Sequence, residues 1–122
     1  MTIYQDKLVA LEQRTVDFSV SVVSICRPLM KDPALKSIGQ QLIRSATSIG
    51  ANYSEANNAS SKSDFRNKIY IAKKEANETR YWLKVLSELE TGTDYTALQQ
   101  EALELNLIFQ KITSTMKSGN EK

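Results

Sequence analysis

The chain has 122 residues, of which 41% are hydrophobic and 25% charged, the composition of an ordinary globular domain of modest size. It has no histidine and a single cysteine, Cys26, which excludes imidazole catalysis, His-ligated metals, intramolecular disulfides and multi-cysteine clusters. The net charge is only +2, and 4 glycines with 2 prolines are too few for the many tight turns of a β-sandwich or barrel.

The N-terminus does not resemble a signal peptide, because it lacks the order of basic residues followed by apolar ones. No stretch approaches the roughly 20 apolar residues that a membrane span requires. Together with the low cysteine content, this predicts a cytoplasmic protein without a membrane partner.

Apolar residues recur every three or four positions along four segments, which predicts four amphipathic helices. The first stripe, for example, runs from Tyr4 through Phe18 to Leu29. The predicted helices span about residues 3–27, 34–58, 64–90 and 94–117. Their short connections favour antiparallel neighbours. The sequence therefore predicts one all-α domain over residues 1–122, an up-down-up-down four-helix bundle.

Capping signals stand at the predicted helix ends. Asp32 followed by Pro33 is typical of the start of a helix. Ser63 or Asp64 is the expected cap of the third helix, and Thr93 or Asp94 that of the fourth. Gly92 suits the left-handed turn between these two helices, and Pro28 is expected to kink the first helix rather than end it.

Charge is unevenly distributed along the chain. Residues 35–86 hold 9 basic and 4 acidic side chains, whereas residues 87–122 hold 3 basic and 6 acidic ones. On the third helix Arg66, Lys73 and Arg80 are seven residues apart, so they share one side of the helix. Lys62 and Lys84 extend this row by one turn at either end.

Three interpretations of this basic row stay open at the level of sequence. It is a phosphate-binding stripe with Tyr70 available to stack on a base, or it pairs with Glu101 and Glu104 of the fourth helix, or it is a solvated face. Intramolecular or intersubunit ion pairs are what bundles commonly place beside an apolar seam.

The small-residue segment 45–55 has Gly50 in its interior, which costs about 1 kcal/mol relative to Ala in a helix. We expect close helix contact to offset this cost, with Gly50 or Ala46 facing a neighbouring backbone. Asn52 and Glu55 are then expected to form a buried polar clamp with carboxylates or Arg80 on the third helix.

Other chemistry-bearing residues favour structural roles. Glu75 and Glu78 have the i, i+3 spacing found in carboxylate metal sites of bundles, but the histidines of such sites are missing. Trp82 is expected in the core or at a subunit contact, and Cys26 as a small buried apolar residue. No nucleophile with its base is recognisable, so the sequence predicts a protein that is not an enzyme and has no cofactor or metal.

Two runs resemble a known family. Residues 41–56, QLIRSATSIGANYSEA, and residues 63–83, with KEANETRYWL at their end, are similar to the bacterial four-helix-bundle proteins encoded in intervening sequences of 23S ribosomal RNA genes. A related branch comprises the accessory variability proteins of diversity-generating retroelements. The resemblance extends over nearly the whole chain. It implies a homopentameric ring and, in the retroelement branch, a basic surface that binds a reverse transcriptase and nucleic acid.

The interpretation favoured by residues and resemblance together is a non-enzymatic oligomer that binds RNA or DNA electrostatically. The alternative is a protein–protein scaffold or accessory subunit, for example to a reverse transcriptase, without direct nucleic-acid binding. The candidate nucleic-acid-binding residues are Arg44, Lys62, Arg66, Tyr70, Lys73, Lys74, Arg80 and Lys84.

Overall fold

The computed structural model describes residues 2–120, and the side chains of residues 2–117. The prediction of an all-α fold with four α-helices is confirmed, and no β-strand occurs among the described residues. The helices are α1 (Ile3–Cys26), α2 (Pro33–Asn57), α3 (Lys62–Glu88) and α4 (Thr96–Asn120). None of these described helices has the continuous apolar length needed to cross a bilayer.

The first helix ends at Cys26, and Arg27–Lys31 form a 3-10 turn. Pro28 thus ends the α-helix rather than kinking it, because its ring leaves no N–H for the helical ladder and crowds the carbonyl one turn back. The expected cap of α2 is present, since the Asp32 carboxylate accepts a hydrogen bond from the backbone N–H of Ala34 at 3.0 Å.

The third helix begins earlier than predicted. Ser61, not Ser63 or Asp64, is its N-cap, because the Ser61 hydroxyl accepts from the Asp64 backbone N–H at 3.0 Å. The Asp64 carboxylate accepts instead from the Ser60 backbone N–H at 3.2 Å, which orders the connection before the helix.

The connection between α3 and α4 turns on two residues with positive φ, Glu90 at 50° and Gly92 at 88°. The second of these is the expected left-handed glycine. The fourth helix starts at Thr96 rather than at residue 94. Asp94 still supports its start, because its carboxylate accepts from the Thr96 backbone N–H at 2.9 Å. Hydrogen bonds from Thr96 also lower the pKa of Asp94 below its ordinary value.

The apolar stripes meet in one core, with α3 packed between α2 and α4, and α1 packed mainly on α2. Tyr4, at the start of the predicted first stripe, is an exception and is 68% exposed. The largest fully buried apolar side chains are Val22, Cys26, Leu42, Ile49, Ile69, Leu83, Leu86, Leu105 and Phe109.

α1 approaches α2 closely at Gly50. A Cβ added there would lie 2.6 Å from Oγ1 and 2.9 Å from Cβ of Thr15, which is 1% exposed. Gly50 therefore faces Thr15, whose side chain is the nearest group and whose backbone carbonyl carbon would lie 3.7 Å from the same Cβ, in line with the expected approach to a neighbouring backbone. The Thr15 hydroxyl itself donates to the Glu12 carbonyl oxygen at 2.6 Å, so the threonine cannot rotate away without losing this bond.

We expect Gly50→Ala to destabilise the protein by roughly 1–2 kcal/mol, because overpacking against Thr15 outweighs the gain in helix propensity. Gly39→Ala is the matched control in the same helix. Its added methyl is crowded by the terminal Cε of Met30, at 2.9 Å, which is the end of a flexible side chain, and meets Leu29 at 3.6 Å, an ordinary contact distance. Urea denaturation of both variants checks this, and a Gly50→Ala protein as stable as Gly39→Ala would contradict the packing argument.

Candidate nucleic-acid interface

Lys73, Lys74, Arg80 and Lys84 lie on the side of α3 that borders α4, whereas Lys68 pairs with Glu55 of α2. Lys62, Lys74, Arg80 and Lys84 are exposed, and Lys73 is half-buried. Within the part of the chain that the structure describes, none of these five cations has a carboxylate oxygen within 4.0 Å, and the same holds for half-buried Arg66. Their charge is therefore not neutralised by ion pairs within these residues.

The ion-pair partners expected for this row are bound elsewhere. Arg14 of α1 contacts Glu101 of α4 through two parallel hydrogen bonds of 2.7 Å, and its Nη2 lies 3.1 Å from Glu104 Oε1. These contacts raise the pKa of Arg14 above its ordinary value. The prediction that Glu101 and Glu104 pair with α3 is wrong, because these carboxylates face α1 across the other side of α4.

A groove of about 660 Å³ runs between the C-terminal half of α3 and the start of α4. The α4 wall is made largely of neutral side chains, among them Gln99 and Gln100. Glu88 is the single acidic residue among the described residues that line it. The α3 wall is formed by Asn77, Arg80, Tyr81, Lys84, Ser87 and Glu88.

A second, smaller groove continues along α3 towards its N-terminus. It is lined by Tyr70, Lys73, Lys74, Asn77 and Asn106, and it shares Asn77 with the first groove. The Asn106 side chain donates to the Lys73 backbone carbonyl at 3.1 Å, which ties α4 to α3 at this point. The two grooves together form a continuous basic and amide-rich surface, named here the α3–α4 groove.

The structure thus brings five of the eight predicted residues together: Tyr70, Lys73, Lys74, Arg80 and Lys84. Lys62 lines a different groove, with Tyr4 and Leu8 of α1. Arg66 lies on α3 one turn from each of Lys62 and Tyr70.

Arg44 lies apart from the other cations, because it is on α2, where it forms ion pairs with α3. Its Nη1 lies 2.9 Å from Glu75 Oε2, and its Nη2 contacts Glu78 Oε2. The same Glu78 oxygen accepts a hydrogen bond from Trp82 Nε1 at 3.0 Å. Hydrogen bonds from Trp82 and Arg44 lower the pKa of Glu78. We name these four residues the Arg44 clamp.

The polar clamp predicted around Asn52 and Glu55 does not form, and the Arg44 clamp joins α2 to α3 through other residues. Asn52 does not reach α3, because its amide donates to the Ser48 carbonyl one turn earlier, at 2.8 Å. Glu55 pairs with Lys68 at 3.1 Å, not with Arg80. The expected contacts of Asn52 and Glu55 are therefore wrong.

A buried hydroxyl contact adds to the α2–α3 interface. Thr79 Oγ1 lies 2.9 Å from Ser45 Oγ and 2.8 Å from the Glu75 carbonyl oxygen, and both side chains are 0% exposed. Buried polar groups that satisfy each other in this way fix one relative position of two helices.

The remaining chemistry-bearing residues have structural surroundings. Glu75 and Glu78 both bind Arg44, and residues 2–120 contain no group of three His, Cys, Asp or Glu side chains that would hold a metal. Cys26 is 0% exposed, and burial raises the pKa of its thiol to about 11.

Tyr81 was not identified from the sequence as a site residue. It is 61% exposed and lines the α3–α4 groove beside Arg80 and Lys84. Its ring meets Trp82 edge to face, with centroids 5.2 Å apart and an interplanar angle of 79°. Its spacing from Tyr70, eleven residues or about three helical turns, is the signal that would have revealed it.

Comparison with known proteins gives one family match. The model of a family described as 23S rRNA-intervening sequence protein matches residues 8–111. The crystal structure of a protein with unknown function from the S23 ribosomal protein family of Bacteroides thetaiotaomicron is 38% identical, with a TM-score of 0.78. That similarity covers 84% of this chain and 96% of the other. No curated protein matches this sequence.

The lowered pKa of Glu78 predicts a loss of stability in acid. A carboxylate whose folded-state pKa lies below its ordinary value of 4.5 stabilises the fold above that value, and the contribution disappears as the pH falls through the folded-state pKa. Glu78→Gln should therefore flatten the pH dependence of the free energy of unfolding below about pH 5. Glu88→Gln, which removes an exposed carboxylate that forms no ion pair within the described residues, is the matched control. Equal pH dependence of both variants would contradict the assignment.

Proposed function

The chain belongs to the 23S rRNA-intervening sequence protein family, and we propose that it is a non-enzymatic protein that binds RNA or DNA through the α3–α4 groove. The observation that supports this proposal is that some cations are bound in ion pairs and others are not. Arg14 and Arg44 are bound to carboxylates, whereas Lys73, Lys74, Arg80 and Lys84 are free of ion pairs within the described residues. A surface of unpaired cations attracts phosphates.

Binding through this groove has a simple physical basis. Lysine and arginine side chains neutralise backbone phosphates and release counterions, which supplies sequence-independent affinity. Asn77, Gln99, Gln100 and Asn106 add neutral donors and acceptors that tolerate phosphate, sugar or base edges. Lys62 and Arg66 extend the basic surface along α3, while Arg44 stabilises the fold that presents it.

We propose that the domain is an up-down-up-down bundle. Pairs of contacts support this arrangement: Glu55 meets Lys68 while Ser45 meets Thr79, so that α2 and α3 run in opposite directions. Groove residues on α3 and α4 pair in opposite order along the chain, with Arg80 near Gln99 and Lys73 near Asn106, so that these two helices also run in opposite directions.

We further propose that the protein assembles into a homopentameric ring in the cytoplasm, as the family resemblance implies. Support on this chain comes from Val9, Val16 and Val20, which are 50%, 46% and 60% exposed at i, i+7 and i+11 on α1. A ring would repeat the basic groove, and several weak sites on one rigid particle bind a long polymer with avidity.

The same apolar row favours a second candidate function, a scaffold or accessory subunit for another protein. Exposed valines in a row on one helix are typical of a surface that packs against a partner. In that case the partner would be a protein, for example a polymerase subunit, and nucleic acid would not bind.

Charge reversal tests the proposed site. Arg80→Glu/Lys84→Glu should abolish most RNA binding in fluorescence anisotropy at low salt. Neutralising the same two residues, Arg80 and Lys84, should reduce the slope of log Kd against log salt by roughly 1.4. Lys36→Glu/Lys111→Glu changes the net charge equally at exposed lysines that line neither groove, so it should bind nearly as wild type. Equal losses in both variants would show that only net charge matters.

Size-exclusion chromatography with light scattering tests the assembly. A particle of five chains is expected, co-eluting with RNA at low salt and separating from it at high salt. A monomer would overturn the ring and the avidity argument. A ring that never co-elutes with nucleic acid would favour the protein scaffold.

A further inference from the structure

We propose that Tyr81 and Tyr70 form a base-stacking platform, so that the α3–α4 groove takes single-stranded nucleic acid in preference to duplex. This inference rests on the proposed function, because it names the class of nucleic acid that the same groove accepts. A stacking platform adds selectivity for single strands, which cations alone do not provide. Phosphate contacts bind either form, whereas an exposed aromatic face binds bases only where they are unpaired and accessible.

The two rings share one side of α3. Eleven residues separate them, which corresponds to about 16 Å along the helix axis and a rotation of only about 20°. Tyr70 is 44% exposed and Tyr81 is 61% exposed, so neither ring serves the core. Lys73, Lys74 and Asn77 lie between them along the groove. This alternation of aromatic and cationic groups is typical of surfaces that follow a single strand.

Tyr81 is held in place although it is exposed. The edge-to-face contact with Trp82 packs one side of the ring, and Trp82 in turn donates to Glu78, which binds Arg44. A ring restrained in this way loses little conformational entropy when a base stacks on it. The Arg44 clamp thus acts as a positioning network for the tyrosine.

Charge in the groove fits the same occupant. Arg80 and Lys84 flank Tyr81 and provide phosphate contacts on the same wall, while the facing α4 wall offers Gln99 and Gln100. Glu88 marks the end of the basic stretch and repels a phosphate there. Removing its charge should extend the site rather than break it.

The test measures anisotropy of a labelled unstructured 20-nucleotide strand, as RNA and as DNA, and of the same strand hybridised to its complement. The wild-type protein should bind both single strands more tightly than the duplexes. Tyr81→Leu should weaken single-strand binding about fivefold or more, and leave duplex binding unchanged. Tyr81→Phe should retain single-strand binding, because it keeps the ring. Tyr4→Leu, at an exposed tyrosine outside the groove, is the matched control and should have no effect.

A second readout comes from Trp82, the one tryptophan in the chain. Single-stranded nucleic acid should quench its fluorescence through the adjacent Tyr81 site, and duplex should do so weakly. Glu88→Gln should tighten binding of both forms about twofold, because one repulsive charge leaves the groove.

The outcomes separate this inference from the proposed function. If Arg80→Glu/Lys84→Glu loses binding while Tyr81→Leu binds single strands as wild type does, the electrostatic site stands and the stacking platform is overturned. Equal wild-type affinity for single strand and duplex also overturns it. If the wild-type protein binds no nucleic acid at low salt, the proposed function itself fails.

Discussion

The Arg44 clamp is the constraint on which the α3–α4 groove depends. An interface made of apolar side chains alone lets two helices slide or rotate with a modest loss of stability. The α2–α3 interface does not, because sliding would leave a buried carboxylate unpaired, which is costly. Glu75 is 9% exposed and its partner comes only from α2. By pinning this side of α3 to α2, the clamp directs the opposite side, with Lys73 and Arg80, towards α4 and solvent.

A second division of charge keeps that opposite side basic. Glu101 and Glu104 of α4 were the ion-pair partners that the sequence offered for the basic row of α3. They are bound instead by Arg14 of α1. α4 therefore turns carboxylates to α1 and amides to α3. Charges of both signs are present in nearly equal number, yet the fold sorts them by helix face. The surface field follows from this sorting and not from the small net charge.

Much of the fold could be predicted from spacing, because a 3.6-residue period determines which residues are buried whatever their partners are. Gly50 also indicated a close helix contact, because it has no side chain. Asp32 indicated a helix cap, because its carboxylate accepts backbone hydrogen bonds. Ion-pair partners could not be predicted in the same way. The sequence offers several carboxylates as possible partners for each of Arg14, Arg44 and Lys68. Only the packing of the helices decides which of these carboxylates is bound. Tyr81 was missed because it lies outside the apolar stripe that marks the core, although its eleven-residue spacing from Tyr70 places both rings on one side of α3.

The absence of histidine has a consequence for how this surface responds to its surroundings. The groups whose pKa values are shifted move away from neutrality: Glu78 downwards, and Cys26 upwards to about 11. Without histidine, the sequence has no side-chain type whose ordinary pKa lies between about 6 and about 8. The proposed binding of phosphates would therefore depend less on mild acidification than on the concentrations of potassium and magnesium, which set how strongly phosphates are screened. Ionic composition, rather than proton concentration, is the variable that the proposed binding would follow.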